Sequence, residues 1–216
     1  MGNLTILYYT SNREDESFES KVRETLLQNC GDLPIISISQ KPIELGKNIC
    51  VGDVGASGYN MFKQVLIGCE AATTEFVISA EADCLYPPDY FTMTPKRNDA
   101  CYRNSNLYVM PDKRAYFFYK KGGATHSQII GRDYYIKRLK TLFKDGPEWS
   151  VEEKNFPKER HRKEDVFDSI EYYRTDNPVF QIKTHKGMRY YTRSDRTPIH
   201  EIPYWGKGEV VRKKYL

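Results

Sequence analysis

Phe76-Val77-Ile78-Ser79-Ala80-Glu81-Ala82-Asp83-Cys84-Leu85-Tyr86-Pro87-Pro88 is the stretch on which the reading of this chain turns. Phe76 to Ala80 is a short apolar run of the kind that is buried on both faces of a parallel sheet. Two carboxylates follow it at a spacing of two. In extended chain that spacing puts Glu81 and Asp83 on one side, at the carboxyl edge of the strand. Paired carboxylates in such a place suit a hard divalent cation, Mg²⁺ or Mn²⁺, which completes its shell with water and substrate phosphates. The bland reading of the same residues is a surface strand that ends in an acidic loop.

Upstream, Leu4 to Tyr9 is β-branched and aromatic and runs into the polar cluster Thr10-Ser11-Asn12-Arg13; it is predicted as a strand followed by a loop. Asp15 to Asn29 carries Phe18, Val22, Leu26 and Leu27 at helical spacing, and Asn29-Cys30-Gly31 is its stop signal. Pro34 to Ser39 reads as a second strand, Gly46 to Gly58 as a long Gly-rich loop, and Tyr59 to Ala72 as a helix packed on a sheet through Phe62, Val65, Leu66 and Cys69. Three strands separated by two helices predict an α/β fold with an open, Rossmann-type, mostly parallel sheet flanked by helices. Ligands of such sheets bind at the carboxyl ends of the strands. Downstream, Leu107–Met110 and Ala115–Tyr119 read as a hairpin around Pro111-Asp112, and Arg132–Phe143 as a basic amphipathic helix. A helix near Glu164–Tyr173 and a strand at Val179–Lys183 are expected before a basic, aromatic tail.

The 216 residues are read as one domain, with 1–92 and 93–216 as its two halves. At 39% hydrophobic and 29% charged residues the chain is neither a disordered polyelectrolyte nor a membrane protein, and no apolar run approaches the roughly 20 residues that span a bilayer. The first residues lack the basic start and apolar stretch of a signal peptide, so the expected location is the cytoplasm, that of a host cell if the protein is phage-encoded. Five cysteines without a Cys-x-x-Cys pair read as free thiols. The net charge of +4 hides an asymmetry. Residues 1–108 carry 9 Lys and Arg against 14 Asp and Glu, whereas residues 109–216 carry 24 against 15. An acidic half suits a cation and a basic half suits an anionic partner.

No Walker-A or Gly-x-Gly-x-x-Gly loop follows the first strand, so a nucleotide-binding sheet of this kind needs a metal to neutralise its diphosphate. Taken in order, residues 3–92 resemble the nucleotide-sugar half of GT-A glycosyltransferases, particularly family 2-like members. Val77 to Pro88 is the most specific part. The resemblance implies that Asp83, and after it Glu81, bind the Mn²⁺ or Mg²⁺ that bridges the diphosphate of a UDP-sugar. This chain departs from the usual motif in having Glu as the first acid and Ala between the two. It further implies that Tyr9, Thr10, Ser11 and Arg13 clasp the nucleotide, with Asp53 and Asn60 where uracil and ribose contacts fall.

His185, within Gln181-Ile182-Lys183-Thr184-His185-Lys186-Gly187, resembles the late imidazole that ligates the metal in many such enzymes; a surface histidine is the bland alternative. Asp165, then Glu164, resembles the pair from which inverting members draw their base, against the alternative of an acid that merely favours a helix N-terminus. Arg189, Arg193 and Arg196 read as a clamp on the donor diphosphate or as contacts to an anionic acceptor. His126 follows Gly122-Gly123, where a cap or an acceptor contact fits.

The basic second half, with 17 Tyr and 10 Phe in the whole chain, suits a phosphate backbone and stacked bases. One expected acceptor is therefore DNA carrying 5-hydroxymethylcytosine, as in some phage-type DNA glycosyltransferases; an anionic membrane surface or a lipid-linked or polysaccharide acceptor suits the same charge. Two rival classes remain, a non-catalytic basic nucleic-acid-binding domain and a metal-dependent nucleotidyltransferase. Sugar identity, anomeric outcome and oligomeric state are not encoded legibly.

Overall fold

A computed structural model describes residues 3–152, 166–188 and 194–216. Its elements run β1 (Leu4–Tyr9), α1 (Glu16–Asn29), β2 (Ile35–Ser39), β3 (Lys47–Cys50), α2 (Gly58–Ala71), β4 (Phe76–Glu81), β5 (Cys84–Leu85), a 3₁₀ turn (Pro88–Thr92), β6 (Cys101–Asn104), β7 (Leu107–Pro111), β8 (Phe118–Tyr119), β9 (Gln128–Gly131), α3 (Arg132–Phe143), β10 (Ile170–Tyr173), β11 (Val179–Lys183), β12 (Glu201–Ile202), β13 (Gly206–Lys207) and α4 (Gly208–Tyr215). The larger sheet has the order β10-β6-β9-β4-β1-β2-β3. β3, β2, β1 and β4 are mutually parallel, and among the described residues β9 is the one reversed strand, antiparallel to both β4 and β6. The expected α/β, Rossmann-type, mostly parallel sheet flanked by helices is the architecture found.

The reason lies in β1 and β4, whose residues are buried along nearly their whole length. Side chains alternate across β1. Leu4, Ile6 and Tyr8 join the core beneath α1, while Leu7 and Tyr9 join the opposite core with Phe62, Val65 and Cys69 of α2 and Tyr135 and Leu139 of α3. Backbone approach between α2 and the sheet is close at Gly68, where a β-carbon would stand 2.6 Å from the Ile38 side chain. A smaller sheet, β5-β11-β7-β8, packs with α1 and α4 through Phe18, Val22, Phe180 and Val211. β5 follows the acidic turn directly and pairs antiparallel with β11, Gln181 opposite Cys84. Among the described residues no helix is long and apolar enough to cross a membrane.

Four local expectations are corrected. Asp83 does not continue the extended chain of β4: the strand ends at Glu81, and Ala82 and Asp83 form a turn into β5. The Gly-rich loop contains β3, a polar edge strand added parallel to β2. The helix expected near Glu164–Tyr173 is, in its described part, the strand β10, paired parallel with β6. Its Ile-Glu-Tyr-Tyr run fits either period, and the open edge of β6 decides. The basic tail contains the β12–β13 hairpin and α4, whose Val211 and Tyr215 are buried on the small sheet. The expected hairpin is present as β7 and β8, Tyr108 opposite Tyr119.

Candidate functional site

At the carboxyl edge of β1, β2 and β4 lies an open cleft. Tyr9, Thr10, Ser11 and Arg13 line it from the loop after β1, Glu81, Ala82 and Asp83 from the end of β4, Gly55 to Ser57 from the segment before α2, and Lys186 to Met188 from the segment after β11. Register explains the convergence of the first two groups. Tyr9 stands beside Glu81 in the parallel β1–β4 ladder, and its hydroxyl donates to Glu81 Oε1 at 3.0 Å. Asp83 is held from below by the small sheet: Gln181 Nε2 donates to both of its carboxylate oxygens, at 3.0 and 2.8 Å, and Ile182 N–H donates to its carbonyl at 2.8 Å.

The loop after β1 is set by Asn12, which adopts a left-handed φ of 51° and accepts the N–H groups of Gln40 and Lys41 on its Oδ1, both at 2.9 Å. Asn is among the residues that tolerate this conformation. The opposite wall is tied in by Gln40 Nε2, which donates to the Gly55 carbonyl at 2.9 Å. Thr10 faces two ways, donating its hydroxyl to Glu19 Oε1 and accepting from Asn12 N–H, each at 2.9 Å.

Sequence reasoning stopped at Arg13 and so missed Glu14, the next residue of the same loop. It lines the cleft, and Thr184 Oγ1 donates to its carboxylate oxygens at 2.6 and 2.7 Å. Burial raises its proton affinity, Asp83 and Asp15 add to that, and the Thr184 hydrogen bond and Lys186 oppose it. Glu19 was missed as well, although an acid on the apolar face of α1 was a legible signal. It is 1% exposed, and burial pushes its pKa up to about 7 against the opposing pull of Thr10 and Arg23. Lys186 pairs with Asp15, which ties the segment after β11 to the start of α1. The cleft is thus acidic, with Glu14, Glu19, Glu81 and Asp83 against Arg13 and Lys186.

Other expected site residues lie elsewhere. Asn60 is fully buried: its Nδ2 donates to the Val54 and Gly55 carbonyls and its Oδ1 accepts from Ser150 N–H at 2.7 Å. Its amide shapes the loop wall. Asp53 is exposed on the preceding turn and does not border the cleft. His185, the expected imidazole ligand, points away: its side chain is 72% exposed, with Nδ1 3.3 Å from Asp112 Oδ2. It follows a strand as expected, but the turn after Thr184 directs Lys186 and not His185 toward the cleft. Asp165, Glu164, Arg189 and Arg193 lie outside the described residues.

No family model matches this chain, and no curated protein does. Among solved structures, the inositol-1-phosphate CTP transferase from T. maritima superposes with a TM-score of 0.52 at 10% identity, over 85% of this chain and 91% of its own. A glycosyltransferase involved in the glycosylation of the major capsid of PBCV-1 gives a TM-score of 0.47 at 13% identity, over 79% of this chain and 81% of its own. S. aureus TarS 1-349 in complex with UDP-GlcNAc gives 0.48 at 12% identity, over 88% of this chain; the chain spans 62% of that fragment. The likeness to the T. maritima enzyme is one of fold, the mostly parallel α/β sheet with helices on both faces.

Proposed function

We propose that this chain transfers a glycosyl group from a nucleoside-diphosphate sugar, UDP-linked in the first instance, to an acceptor hydroxyl. The observation that carries the reading is the convergence of Glu81 and Asp83 with the loop Tyr9–Glu14 in one cleft at the carboxyl edge of a parallel sheet. In such sheets this edge is where nucleotides are held. Residues 1–92 would supply the donor side and residues 93–216 the acceptor side of one domain.

The donor set suits a hard divalent cation. Asp83 and Glu81 offer only carboxylate oxygens, each oriented by a hydrogen bond from Gln181 or Tyr9, and Asp83 sets a like charge beside Glu14 that a cation would relieve. When bound there, Mn²⁺ or Mg²⁺ neutralises diphosphate oxygens and eases departure of the nucleoside diphosphate. The chain's own groups do the rest. Tyr9, Thr10, Ser11 and Arg13 position the nucleotide, and Arg13 and Lys186 face its phosphates. A carboxylate takes the proton of the acceptor hydroxyl as the new bond from its oxygen to the anomeric carbon forms and the bond to the diphosphate oxygen breaks. Asp165, then Glu164, remains the proposed base, with Arg189 and Arg193 toward the diphosphate. Glu14, with its raised proton affinity, is the described cleft carboxylate suited to the same task.

For the acceptor, the basic second half supports hydroxymethylated pyrimidine in DNA. Several of its cations are already engaged, Arg132 with Asp133, Arg138 with Asp168 and Lys140 with Glu70. The exposed basic surface that remains includes Lys213 and Lys214 on α4.

Thermal unfolding in the presence of UDP, UDP-sugars and nucleoside triphosphates, with and without Mn²⁺, tests the reading. A ligand at about 100 times its dissociation constant adds roughly 2.7 kcal/mol. Metal-dependent protection by UDP and a UDP-sugar is the expected result. Protection by triphosphates alone moves the chain to nucleotidyl transfer, the activity named for the T. maritima structure. Salt-sensitive DNA binding without nucleotide protection makes it a binding module. Transfer to hydroxymethylcytosine DNA, set against unmodified DNA, tests the acceptor; no transfer from any donor removes DNA.

A further inference from the structure

Beneath the floor of the cleft, three donors of different chemistry meet. The antiparallel β4–β9 ladder pairs Phe76 with Gly131, Val77 with Ile130 and Ile78 with Ile129. β9 begins at Gln128, and the turn just before it carries His126. The turn Glu81-Ala82-Asp83 then returns the chain so that Cys84 begins β5. A carboxylate oxygen of Glu81, Sγ of Cys84 and a ring nitrogen of His126 all lie within 4.8 Å of one another, with Cys84 and His126 buried and Glu81 half-buried. Only the reversed strand β9 makes this possible, because its entry end is what lies beside the carboxyl end of β4.

We propose that Glu81, Cys84 and His126 form a binding site for a borderline-soft divalent transition metal of the Zn²⁺ or Co²⁺ class. Thiolate and imidazole select such ions over Mg²⁺ or Mn²⁺. In a tetrahedral site with bonds of about 2.0–2.3 Å, ligand atoms stand roughly 3.3–3.6 Å apart, so closure asks for about 1 Å of side-chain adjustment. The supporting frame is in place. Tyr86, itself 2% exposed, accepts the Glu81 N–H on its hydroxyl at 2.9 Å and donates that hydroxyl to the His126 carbonyl at 2.8 Å, so one buried group ties the backbones of two ligands together. Tyr9 orients the Glu81 carboxylate. Such outer partners hold ligands in place for a metal. Three protein ligands leave a fourth position, and Glu81 borders the cleft, so water or a cleft ligand fills it. The site differs from the oxygen-donor pair Glu81 and Asp83 in its chemistry; it shares Glu81 with it, and Cys84 Sγ donates to Asp83 Oδ1 at 3.2 Å. It does not depend on the identity of the donor substrate.

The test is a titration of the whole, reduced chain with Co²⁺ alone, followed by competition with Zn²⁺. Stoichiometric binding with a thiolate-to-cobalt charge-transfer band and tetrahedral visible absorption is expected, and Zn²⁺ should displace both. Cys84→Ser should abolish the charge-transfer band, whereas Cys50→Ser, at an exposed cysteine, should retain it. Tyr86→Phe should weaken Co²⁺ binding about 10–100-fold while leaving the band position unchanged. X-ray absorption on the Zn²⁺-loaded wild-type chain should find one sulfur among the ligands, a readout that requires no variant to fold. A shell without sulfur, a band that survives Cys84→Ser, or no stoichiometric binding overturns the proposal. A chain that shows the band yet binds no nucleotide keeps this site and loses the glycosyl-transfer reading.

Discussion

Strand β4 is flanked by two glutamates, and their surroundings differ. Glu75, just before the strand, accepts from Asn3 Nδ2 at 2.6 Å and Asn98 Nδ2 at 3.0 Å, both neutral amides, at the surface. Glu81, at its other end, faces a cleft that holds Glu14, Glu19 and Asp83 as well. The amino end is thus closed by neutral donors from neighbouring loops, and the carboxyl end is left with like charges only partly compensated. Proteins accept such crowding where a ligand relieves it, and perturbed carboxylates in a cleft point to function on that ground.

The sharpest way to break this contrast is Asp83→Asn, which keeps shape and removes charge. Sugar transfer should fall about 1,000-fold, roughly 4 kcal/mol of transition-state stabilisation, and Mn²⁺-dependent protection by UDP should vanish. Turnover at the wild-type rate would remove Asp83 from the machinery.

Glu19 carries the next effect. Its folded pKa of about 7 lies above the ordinary value of 4.5. Between those two values the folded chain binds more protons than the unfolded one, so this group's contribution is full below about pH 4.5 and is lost as pH rises through about 7. The loss reaches up to about 3 kcal/mol. Urea unfolding of wild type and Glu19→Gln at pH 5 and pH 8 should show a wild-type decline that the variant lacks. Parallel declines in both proteins would mean that Glu19 is not the group responsible. Glu14, also shifted upward, works in the same direction.

Gln181→Leu leaves Asp83 in place but removes the amide that holds both of its oxygens. About a 10-fold loss in kcat/KM, with a weakened Mn²⁺ dependence, is expected, and an unchanged metal dependence would show that Asp83 orients itself. The smallest effect belongs to the other end of the strand. Glu75→Gln should change stability by no more than about 0.5 kcal/mol and leave transfer untouched; a loss of activity there would dissolve the contrast between the two ends.

Much of this fold is readable along the chain, since β1, β2, β4, α1, α2 and α3 each bury a periodic apolar face. The elements that escape are short or polar. β3 is Lys-Asn-Ile-Cys and β9 is Gln-Ile-Ile-Gly, and strands of four residues owe their existence to the neighbour whose edge they fill. The site divides in the same way. The loop after β1 and the Glu81–Asp83 pair are local, so sequence alone brings Tyr9, Thr10, Ser11, Arg13, Glu81 and Asp83 to one sheet edge. Asn60 and His185 are placed by contacts distant in sequence, with Ser150 and Asp112, and no local pattern reports those.

The sequence by itself determined a parallel α/β sheet with two carboxylates at the end of its third apolar strand, because periodic burial and residue spacing are properties of adjacent residues. Tertiary structure alone decided that β9 runs backward beside β4, that Gln181 and Thr184 reach across to hold Asp83 and Glu14, and that Cys84 and His126 lie together under Glu81. Those relations join segments about 40 to 170 residues apart, and their placement is set by the free energy of the whole packed core and not by any one segment.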